Sequence, residues 1–243
     1  MPERLPRLFV ETPLGASAEV ECNAQQGNYL VNVLRCKVGD EVLLFNGRDG
    51  EWRAALIDIR RSQCRLRASE QTRPQDAAQD IHYLFAPLKH ARLDYMVQKA
   101  TELGVCALQP VVTAHTVAGR VNIERMRANA IEAAEQCGIL SVPAVAAAQP
   151  LATVLRAWPK ERNLIFCDES AGLSAPIAAL QRVPPGPLGV LVGPEGGFSE
   201  GERQNLLSQP FVYGISLGPR IMRADTAAVA AVALVNAVLG DWQ

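Results

Sequence analysis

The sequence predicts an α/β protein in which a small β domain precedes a larger domain built on a parallel sheet. Residues 1 to about 72 contain short β-rich runs that are separated by glycine turns. Helical and strand-like patterns then alternate through the second half of the chain. Near the C-terminus, two glycine-proline turns each follow an apolar run and precede a helical pattern, as at the carboxyl ends of parallel strands.

The first domain is predicted at residues 1–72, with four strands and one short helix. The strands fit Ala18–Cys22, Asp40–Phe45, Glu51–Ile59 and Ser62–Ala68, and the helix fits Gln26–Leu34. Basic side chains gather in the last two strands and near the end of the helix: Arg35, Lys37, Arg53, Arg60, Arg61, Arg65 and Arg67. Charge alone favours a solvated strand face; a surface that neutralises RNA phosphates is the alternative.

The second domain is predicted at residues 73–243, because the boundary segment Glu70–Asp80 is polar and contains Pro74. Its first predicted elements are a strand at Ile81–Pro87, a helix over 91–103, a strand at Val105–Val112, a helix at Ile123–Cys137 capped by Asn122, a helix at Leu151–Trp158 and a strand at Asn163–Cys167. The helix that ends at Cys137 carries an apolar stripe, so we expect this cysteine in the core.

The two glycine-proline turns are predicted to form one pocket. The first, 193–198, follows a strand at Leu188–Val192, and the second, 218–220, follows one at Phe211–Leu217. Glycine permits positive φ and lets a ligand reach backbone groups, while proline stiffens the path. Ser199 and Glu202 have the spacing of a capping box that starts a helix. Either turn alone is also typical of an ordinary strand-to-helix connection, but the pair favours a ligand site.

Composition excludes several classes of protein. The formal net charge is −1, so a nucleic-acid partner has to be argued from local patches. The six cysteines are scattered without a C-x-x-C pair, which indicates reduced, mostly buried thiols of a cytosolic protein and no metal site. Residues 1–7 lead into no apolar segment, so we expect no secretory signal. The apolar run Thr226–Val235 is too short for a bilayer, which needs about 20 residues.

The C-terminal motifs are similar to those of a known family. The strings LVGPEGGFSEGE (191–202) and SLGPRIMRADTAAVAAVALV (216–235) resemble the two motifs of the RsmE family of 16S ribosomal RNA uracil-N3 methyltransferases, which belongs to the knotted SPOUT superfamily. Matching strings also occur upstream, at 31–35, 45–47, 98–105 and 135–138. The resemblance therefore covers nearly the whole chain in order.

The resemblance implies a PUA-like β-barrel domain that helps to seat RNA, and a SPOUT-type parallel sheet with a trefoil knot that binds S-adenosylmethionine. Implied cofactor contacts are Val192, Gly193, Pro194, Glu195, Gly196, Gly197, Leu217, Gly218, Ile221, Met222, Arg223 and Thr226. Implied RNA contacts are Arg7, Arg35, Lys99 and Arg220. It also implies a cytoplasmic homodimer, with the last helix at the interface, that acts on small-subunit ribosomal RNA or the assembled subunit without a metal.

Arg223 is the candidate catalytic residue, because a fixed cation beside the methyl group could stabilise the developing uracil anion. The alternative is a structural ion pair with Glu195 or Asp225, which are also the nearest candidate proton acceptors. For Asp225 we expect an N-cap role instead. Lys99 and Glu102 have the spacing of a surface ion pair on one helix.

The chain departs from the resembled family at two loops. Ala114 and His115 stand where the family commonly has an acid and an arginine, and 138–141 lacks the usual basic or amide residues. We assign no chemistry to the lone histidines His90 and His115. Asp168 and Glu169 end a strand at the predicted pocket edge, where residue type favours a solvated turn although the resemblance places them at the rim.

Two other functions are compatible with these patterns. A SPOUT methyltransferase could modify another RNA position, since the knot fixes the cofactor and not the target. A non-catalytic assembly factor could bind RNA through the first domain alone. The intact glycine loops and Arg223 favour catalysis over the binding factor, because a pure binding module needs no cofactor pocket.

Overall fold

The computed structural model describes residues 5–60, 63–77, 79–117, 121–170, 172 and 175–242, so predictions for Arg61 and Ser62 lie outside the described residues. The chain forms two compact units. The N-terminal unit comprises Met1–Ala77 and Ala134–Val142, and the C-terminal unit comprises Ala78–Ala133 and Pro143–Gln243.

The N-terminal unit contains a five-stranded sheet in the order β1-β3-β4-β5-β2. Its elements are β1 (Arg7–Phe9), β2 (Glu19–Glu21), α1 (Ala24–Asn28), a π-helical turn (Tyr29–Val33), β3 (Glu41–Phe45), β4 (Glu51–Arg60) and β5 (Gln63–Arg73). All pairs are antiparallel except β1 with β3. The alternating residues Val42, Leu44, Ala54, Leu56 and Leu66 are fully or almost fully buried on one face, as period-2 patterning requires. The separate N-terminal β domain is therefore confirmed.

The C-terminal unit is built on a parallel sheet in the order β12-β10-β11-β6-β7-β8, and β9 also pairs with β7. Its strands are β6 (Ile81–Phe85), β7 (Ala107–Val112), β8 (Ala144–Val145), β9 (Gln149–Pro150), β10 (Asn163–Cys167), β11 (Leu188–Val192) and β12 (Val212–Ile215). Every residue of β11 is buried, as expected for a parallel strand with both faces covered. The predicted α/β class with a parallel sheet is confirmed.

Seven helices complete the described elements, including α1. The others are α2 (His90–Glu102), α3 (Ile123–Cys137), α4 (Leu151–Arg156), α5 (Pro176–Leu180), α6 (Glu200–Leu207) and α7 (Ala224–Leu239). The predicted cap of α3 is confirmed, because Asn122 Oδ1 accepts the Arg125 N–H at 3.0 Å. Among the described helices, none is long and apolar enough to cross a membrane.

The structure corrects two predictions about α3 and α7. Cys137 is exposed: it is the last residue of α3, one turn beyond Ala133 and Ala134, which are buried, so the apolar stripe continues past the end of the core. The N-cap of α7 is Arg223 and not Asp225, which lies in the first turn and accepts the Thr226 N–H at 3.1 Å. The sequence-based error is one of register, since the helix begins two residues earlier than its apolar run.

Candidate active site

Three loops meet at the carboxyl ends of β10, β11 and β12 and form one pocket. These three strands are parallel neighbours in the sheet, so their carboxyl ends lie at the same edge. The lining residues come from the three loops and the start of α7: Cys167, Asp168, Glu169, Val192, Gly193, Pro194, Glu195, Gly197, Phe198, Ser216, Leu217, Gly218, Pro219, Arg220, Ile221, Met222, Ala224 and Ala227. The sequence prediction that both glycine loops share a pocket is confirmed.

The first glycine loop needs glycine at two positions. Gly197 has a φ of +68°, and a Cβ built there would lie 1.8 Å from Glu169 Oε1. A Cβ at Gly193 would lie 2.5 Å from the Phe198 ring. The Gly197 N–H donates to the Pro194 carbonyl at 2.9 Å and closes the turn. The loop is thus compact, and it presents backbone rather than side chains at these two points.

The helix that follows this loop begins as the sequence predicts. Ser199 Oγ accepts the Glu202 N–H at 3.3 Å, and the Glu202 carboxylate accepts the Ser199 N–H at 2.9 Å. These reciprocal bonds are a capping box. The cap holds the end of the glycine loop in place at the first turn of α6.

The second glycine loop has unpaired polar backbone groups and an exposed apolar side chain. Gly218 has a φ of +106°, and its N–H donates to Ser216 Oγ at 3.3 Å. Within the described part of the chain, the N–H groups of Leu217, Ile221 and Met222 have no hydrogen-bond partner. Ile221 is 99% exposed. Unpaired donors beside an apolar side chain are what an amphipathic ligand requires.

Asp168 links the loop after β10 to α6. The solvated turn that residue type favoured is wrong for Asp168, while the rim position that the resemblance implied agrees with the pocket lining. The Asp168 side chain is 4% exposed and accepts the Arg203 Nε–H, with distances of 3.2 and 3.0 Å to its two oxygens. The hydrogen bond to Asp168 raises the pKa of Arg203. Asp168 also accepts the Ser170 N–H at 3.0 Å. A buried carboxylate with these partners is a fixed part of the pocket wall.

Glu195, Arg223 and Asp225 do not form the ion pairs that the sequence left open as an alternative. Glu195 pairs with Arg92 of α2. Arg223 is exposed, and no ion pair or side-chain hydrogen bond joins it to another described residue. Asp225 is half-buried in the first turn of α7. The structural clamp between Arg223 and either carboxylate is therefore not present, and the Arg223 cation faces solvent.

Three of the predicted cofactor contacts lie beside the pocket lining rather than in it. Gly196 is exposed and packs against His115, while Arg223 and Thr226 are exposed at the end of the loop and the first turn of α7. The lining also contains six residues that the sequence analysis did not select as contacts: Cys167, Phe198, Ser216, Pro219, Ala224 and Ala227. Each lies in a predicted loop or close to one in the sequence, so a wider selection around the motifs would have found them. Burial raises the pKa of Cys167 to about 12, so it is a neutral thiol.

The predicted RNA-binding residues fall into different environments. Arg220 is exposed and lines the pocket, and Arg35 is exposed in the N-terminal unit. The Lys99 Nζ lies 2.8 Å from both carboxylate oxygens of Glu102, as the helical spacing predicts. Lys99 is thus an ion-paired residue, and Arg220 and Arg35 are more accessible cations.

The structure corrects the prediction that Arg7 contacts RNA, because its guanidinium is buried and hydrogen-bonded to groups of the protein. Its Nε donates to Glu51 at 2.8 Å, and both side chains are 5% exposed. Its two terminal nitrogens donate to the carbonyls of Ala134, Glu135 and Ile139 at 2.5, 3.0 and 3.1 Å. All its donor nitrogens therefore have partners within the N-terminal unit. No part of this group is left to bind phosphate.

One group of potential metal ligands occurs among the described residues, away from the pocket. The ligand atoms of Asp80, His82 and Cys106 lie within 4.8 Å of one another. Arg162, however, donates to the two oxygens of Asp80 at 2.8 and 3.0 Å and holds the pKa of that carboxyl below its usual range. Burial raises the pKa of Cys106. A guanidinium already neutralises this carboxylate, which disfavours a bound cation.

Comparison with known proteins agrees with this geometry. Residues 75–236 match the model of the RNA methyltransferase domain, and residues 23–69 match that of the RNA methyltransferase PUA domain. The ribosomal RNA small subunit methyltransferase E of Rickettsia conorii is 32% identical over 95% of this chain and 94% of its own length. That of Synechocystis is 31% identical over 96% of this chain and 78% of its own length.

A solved structure has the same fold over its full length. The ribosomal RNA small subunit methyltransferase E from Neisseria gonorrhoeae, bound to S-adenosyl methionine, has a TM-score of 0.86 and 27% identity, and the match covers 99% of this chain and 100% of that one. Family models account for the region that contains all three pocket loops. The chain therefore belongs to the ribosomal RNA small subunit methyltransferase E family.

Proposed function

We propose that this protein transfers the methyl group of S-adenosylmethionine to N3 of one uridine in 16S ribosomal RNA of the small subunit. Family membership supports an enzyme that methylates small-subunit ribosomal RNA. The observation that carries the proposal is the pocket formed by three loops, with Arg223, an exposed cation that pairs with no described residue, next to its second loop. The choice of uridine N3 follows from the motifs that resemble the RsmE family.

The pocket residues fit the chemical groups of S-adenosylmethionine. The N–H groups of Leu217, Ile221 and Met222, which bond to no described residue, suit its polar amino-acid and purine ends. Ile221 is almost fully exposed, so covering it with an apolar ring would remove its side chain from water. When bound, the cofactor supplies an electrophilic methyl group on a sulfonium. The trefoil knot that the resemblance implies would shape these loops around it.

Arg223 has the properties that uridine methylation requires. The N3 nitrogen is a poor nucleophile while it is protonated, so the enzyme must favour the uracil anion. A guanidinium stays charged at all working pH values and donates several hydrogen bonds. Because Arg223 has no ion-pair partner among the described residues, its charge is available to the O2 or O4 atom of that anion.

Further cations supply contacts to the RNA backbone. Arg220 lies on the pocket lining, close in sequence to Arg223, and its exposed side chain suits a phosphate next to the target nucleotide. Arg35 is exposed in the unit that contains the match to a PUA domain. We expect both to position the RNA, and Lys99 to contribute less because Glu102 neutralises it.

The protein is expected to act as a cytoplasmic homodimer without a metal. The last helix, α7, buries Ala228, Ala231 and Val232 within its own unit, while Val229 and Leu234 are only half-buried. A second subunit would cover these apolar side chains, as the resemblance to SPOUT enzymes implies. A monomer mass that does not change with concentration in analytical ultracentrifugation would contradict this part of the proposal.

The test combines methyl transfer with product identification. The wild type, Arg223→Ala and a matched control, Arg182→Ala, are incubated with labelled S-adenosylmethionine and small subunits that lack the modification. Arg182 is also exposed but lies after α5, away from the pocket lining. We expect N3-methyluridine at one site, an Arg223→Ala kcat lower by about 10²- to 10³-fold, and an unchanged control.

Each outcome has a distinct meaning. A different methylated nucleoside would overturn the uridine assignment and leave the enzyme class. An Arg223→Ala protein with a normal kcat would overturn the role of that residue. Absence of both transfer and cofactor binding in the wild type would favour a non-catalytic RNA-binding factor.

A further inference from the structure

The loop that follows β7 lies against the first glycine loop. His115 Nδ1 is 2.9 Å from the Gly196 carbonyl oxygen and 3.2 Å from that of Gly197. Both partners are acceptors only, so Nδ1 has to carry the proton. The neighbouring Ala114 N–H donates to Glu202 Oε1 at 2.8 Å. Two adjacent residues of this loop therefore bind the segment that forms the pocket wall and the start of α6.

The geometry shows what the histidine holds in place. The Gly196 carbonyl and the Gly197 N–H belong to one peptide group, and in a trans peptide they point in opposite directions. His115 binds the oxygen, while the Pro194 carbonyl accepts the N–H at 2.9 Å. Both ends of this peptide group are thus fixed. A rotation of the peptide would break both hydrogen bonds at once.

Glu202 of α6 holds the loop after β7 at a second point, the Ala114 N–H. Its Oε2 accepts the Ser199 N–H at 2.9 Å and the Ser199 hydroxyl at 3.0 Å, while its Oε1 accepts the Ala114 N–H. The carboxylate that caps α6 therefore binds both the end of the first glycine loop and the loop after β7. His115 also packs against Gly196, since a Cβ built on Gly196 would lie in ordinary van der Waals contact with the His115 Cβ, at 3.4 Å.

We infer that His115 is a positioning residue that holds the first glycine loop in its cofactor-binding conformation. It is not among the described lining residues, so it acts through the peptide groups at Gly196 and Gly197 and not by touching the reactants. The inference rests on the proposed function, because the ligand of that loop is taken to be S-adenosylmethionine. In this chain a histidine stands where the resembled family commonly has an arginine, and one ring nitrogen is sufficient for both carbonyls.

The test uses three variants. His115→Ala removes the donor, His115→Asn places an amide N–H near the position of Nδ1, and Val117→Ala changes a 73% exposed side chain in the same loop as a control. We expect His115→Ala to raise the Kd and KM for S-adenosylmethionine about three- to tenfold, the range for one net hydrogen bond. With saturating cofactor, kcat should change less than about twofold. His115→Asn should recover most of the affinity, and Val117→Ala should match the wild type.

A second measurement does not depend on the cofactor. Hydrogen exchange at the Gly197 amide should be faster in His115→Ala than in the wild type and in Val117→Ala, because the peptide has lost one of its two fixed ends. Unchanged exchange and unchanged KM would overturn the inference, and so would an Asn variant that is as weak as the Ala variant. If the wild type binds no cofactor, the proposed function fails, and the exchange rates still decide the role of His115.

Discussion

Replacing Arg7 by leucine should destabilise the N-terminal unit and leave RNA affinity intact. The guanidinium is the partner of Glu51, which is 5% exposed, and it also supplies donors to three main-chain carbonyls. Leucine removes the charge and every one of these donors. The buried Glu51 carboxylate then loses its closest cationic partner.

The size of the effect follows from what remains around Glu51. Removing one partner of a buried ion pair costs about 3–5 kcal/mol of unfolding free energy. Thr72 Oγ1 still donates to Glu51 at 2.9 Å, and Arg73 lies 3.9 Å from it. This residual compensation places the expected loss near the lower limit, at about 3 kcal/mol. The variant Arg7→Leu/Glu51→Leu should lose less, because no uncompensated buried charge is left.

Urea denaturation followed by circular dichroism measures these losses for both variants at the same pH. A loss below about 1 kcal/mol in Arg7→Leu, or an equal loss in both variants, would refute the argument, since neither is expected from a buried carboxylate without its cationic partner.

RNA binding, measured in buffer where the protein is folded, gives an independent test of the Arg7 prediction. The slope of log affinity against log salt should stay constant in Arg7→Leu and fall by about 0.7–0.9 in Arg220→Ala. A reduced slope in Arg7→Leu would instead indicate that Arg7 does bind an RNA phosphate.

Two further predictions concern the first glycine loop and the cysteines. Gly197→Ala should cost at least about 1 kcal/mol of stability and weaken cofactor binding, because φ is +68° and the new Cβ would lie 1.8 Å from Glu169 Oε1. Gly201→Ala in α6 meets nothing within 4 Å and should be neutral or stabilising when both variants are compared by urea denaturation. Iodoacetamide at pH 7.5 should alkylate the exposed Cys137 well before Cys167, whose pKa burial raises to about 12; equal rates by peptide mass spectrometry would contradict this.

Most of the fold could be predicted from local patterns. The strands Asn163–Cys167 and Leu188–Val192 and the helix Ile123–Cys137 agree with the structure at both ends, because continuous apolar runs, caps and glycines mark them locally. The three-residue strand Arg7–Phe9 was missed, since a strand this short is defined by its pairing with β3 and not by its own pattern. The prediction that Cys137 is buried was also wrong, because the last turn of a helix can extend beyond the core and the sequence pattern does not show where the core ends.

The candidate site also has features that local sequence patterns predict and features that they do not. The two glycine loops and the capping box at Ser199 were readable because glycine, proline and capping residues have local conformational requirements. For the third loop, residue type favoured a solvated turn and only the resemblance implied the pocket rim, where Asp168 and Glu169 lie. The burial of Asp168 depends on its pairing with Arg203 of α6, which no local pattern indicates. The pairing of Glu195 with Arg92 joins residues far apart in the sequence, so no local pattern indicates it.

The amino-acid sequence by itself determined the fold class, the two glycine loops and the family resemblance, since these depend on residue types at fixed short spacings. The tertiary structure alone decided which charges are available. Arg7 and Arg223 are both arginines in candidate binding segments, but one is buried against Glu51 and three carbonyls and the other is exposed. His115 likewise acquires a role only because its loop folds onto Gly196. Burial and long-range partners decide whether a charged group or a hydrogen-bond donor is free to bind a ligand, and local sequence patterns predict neither of them.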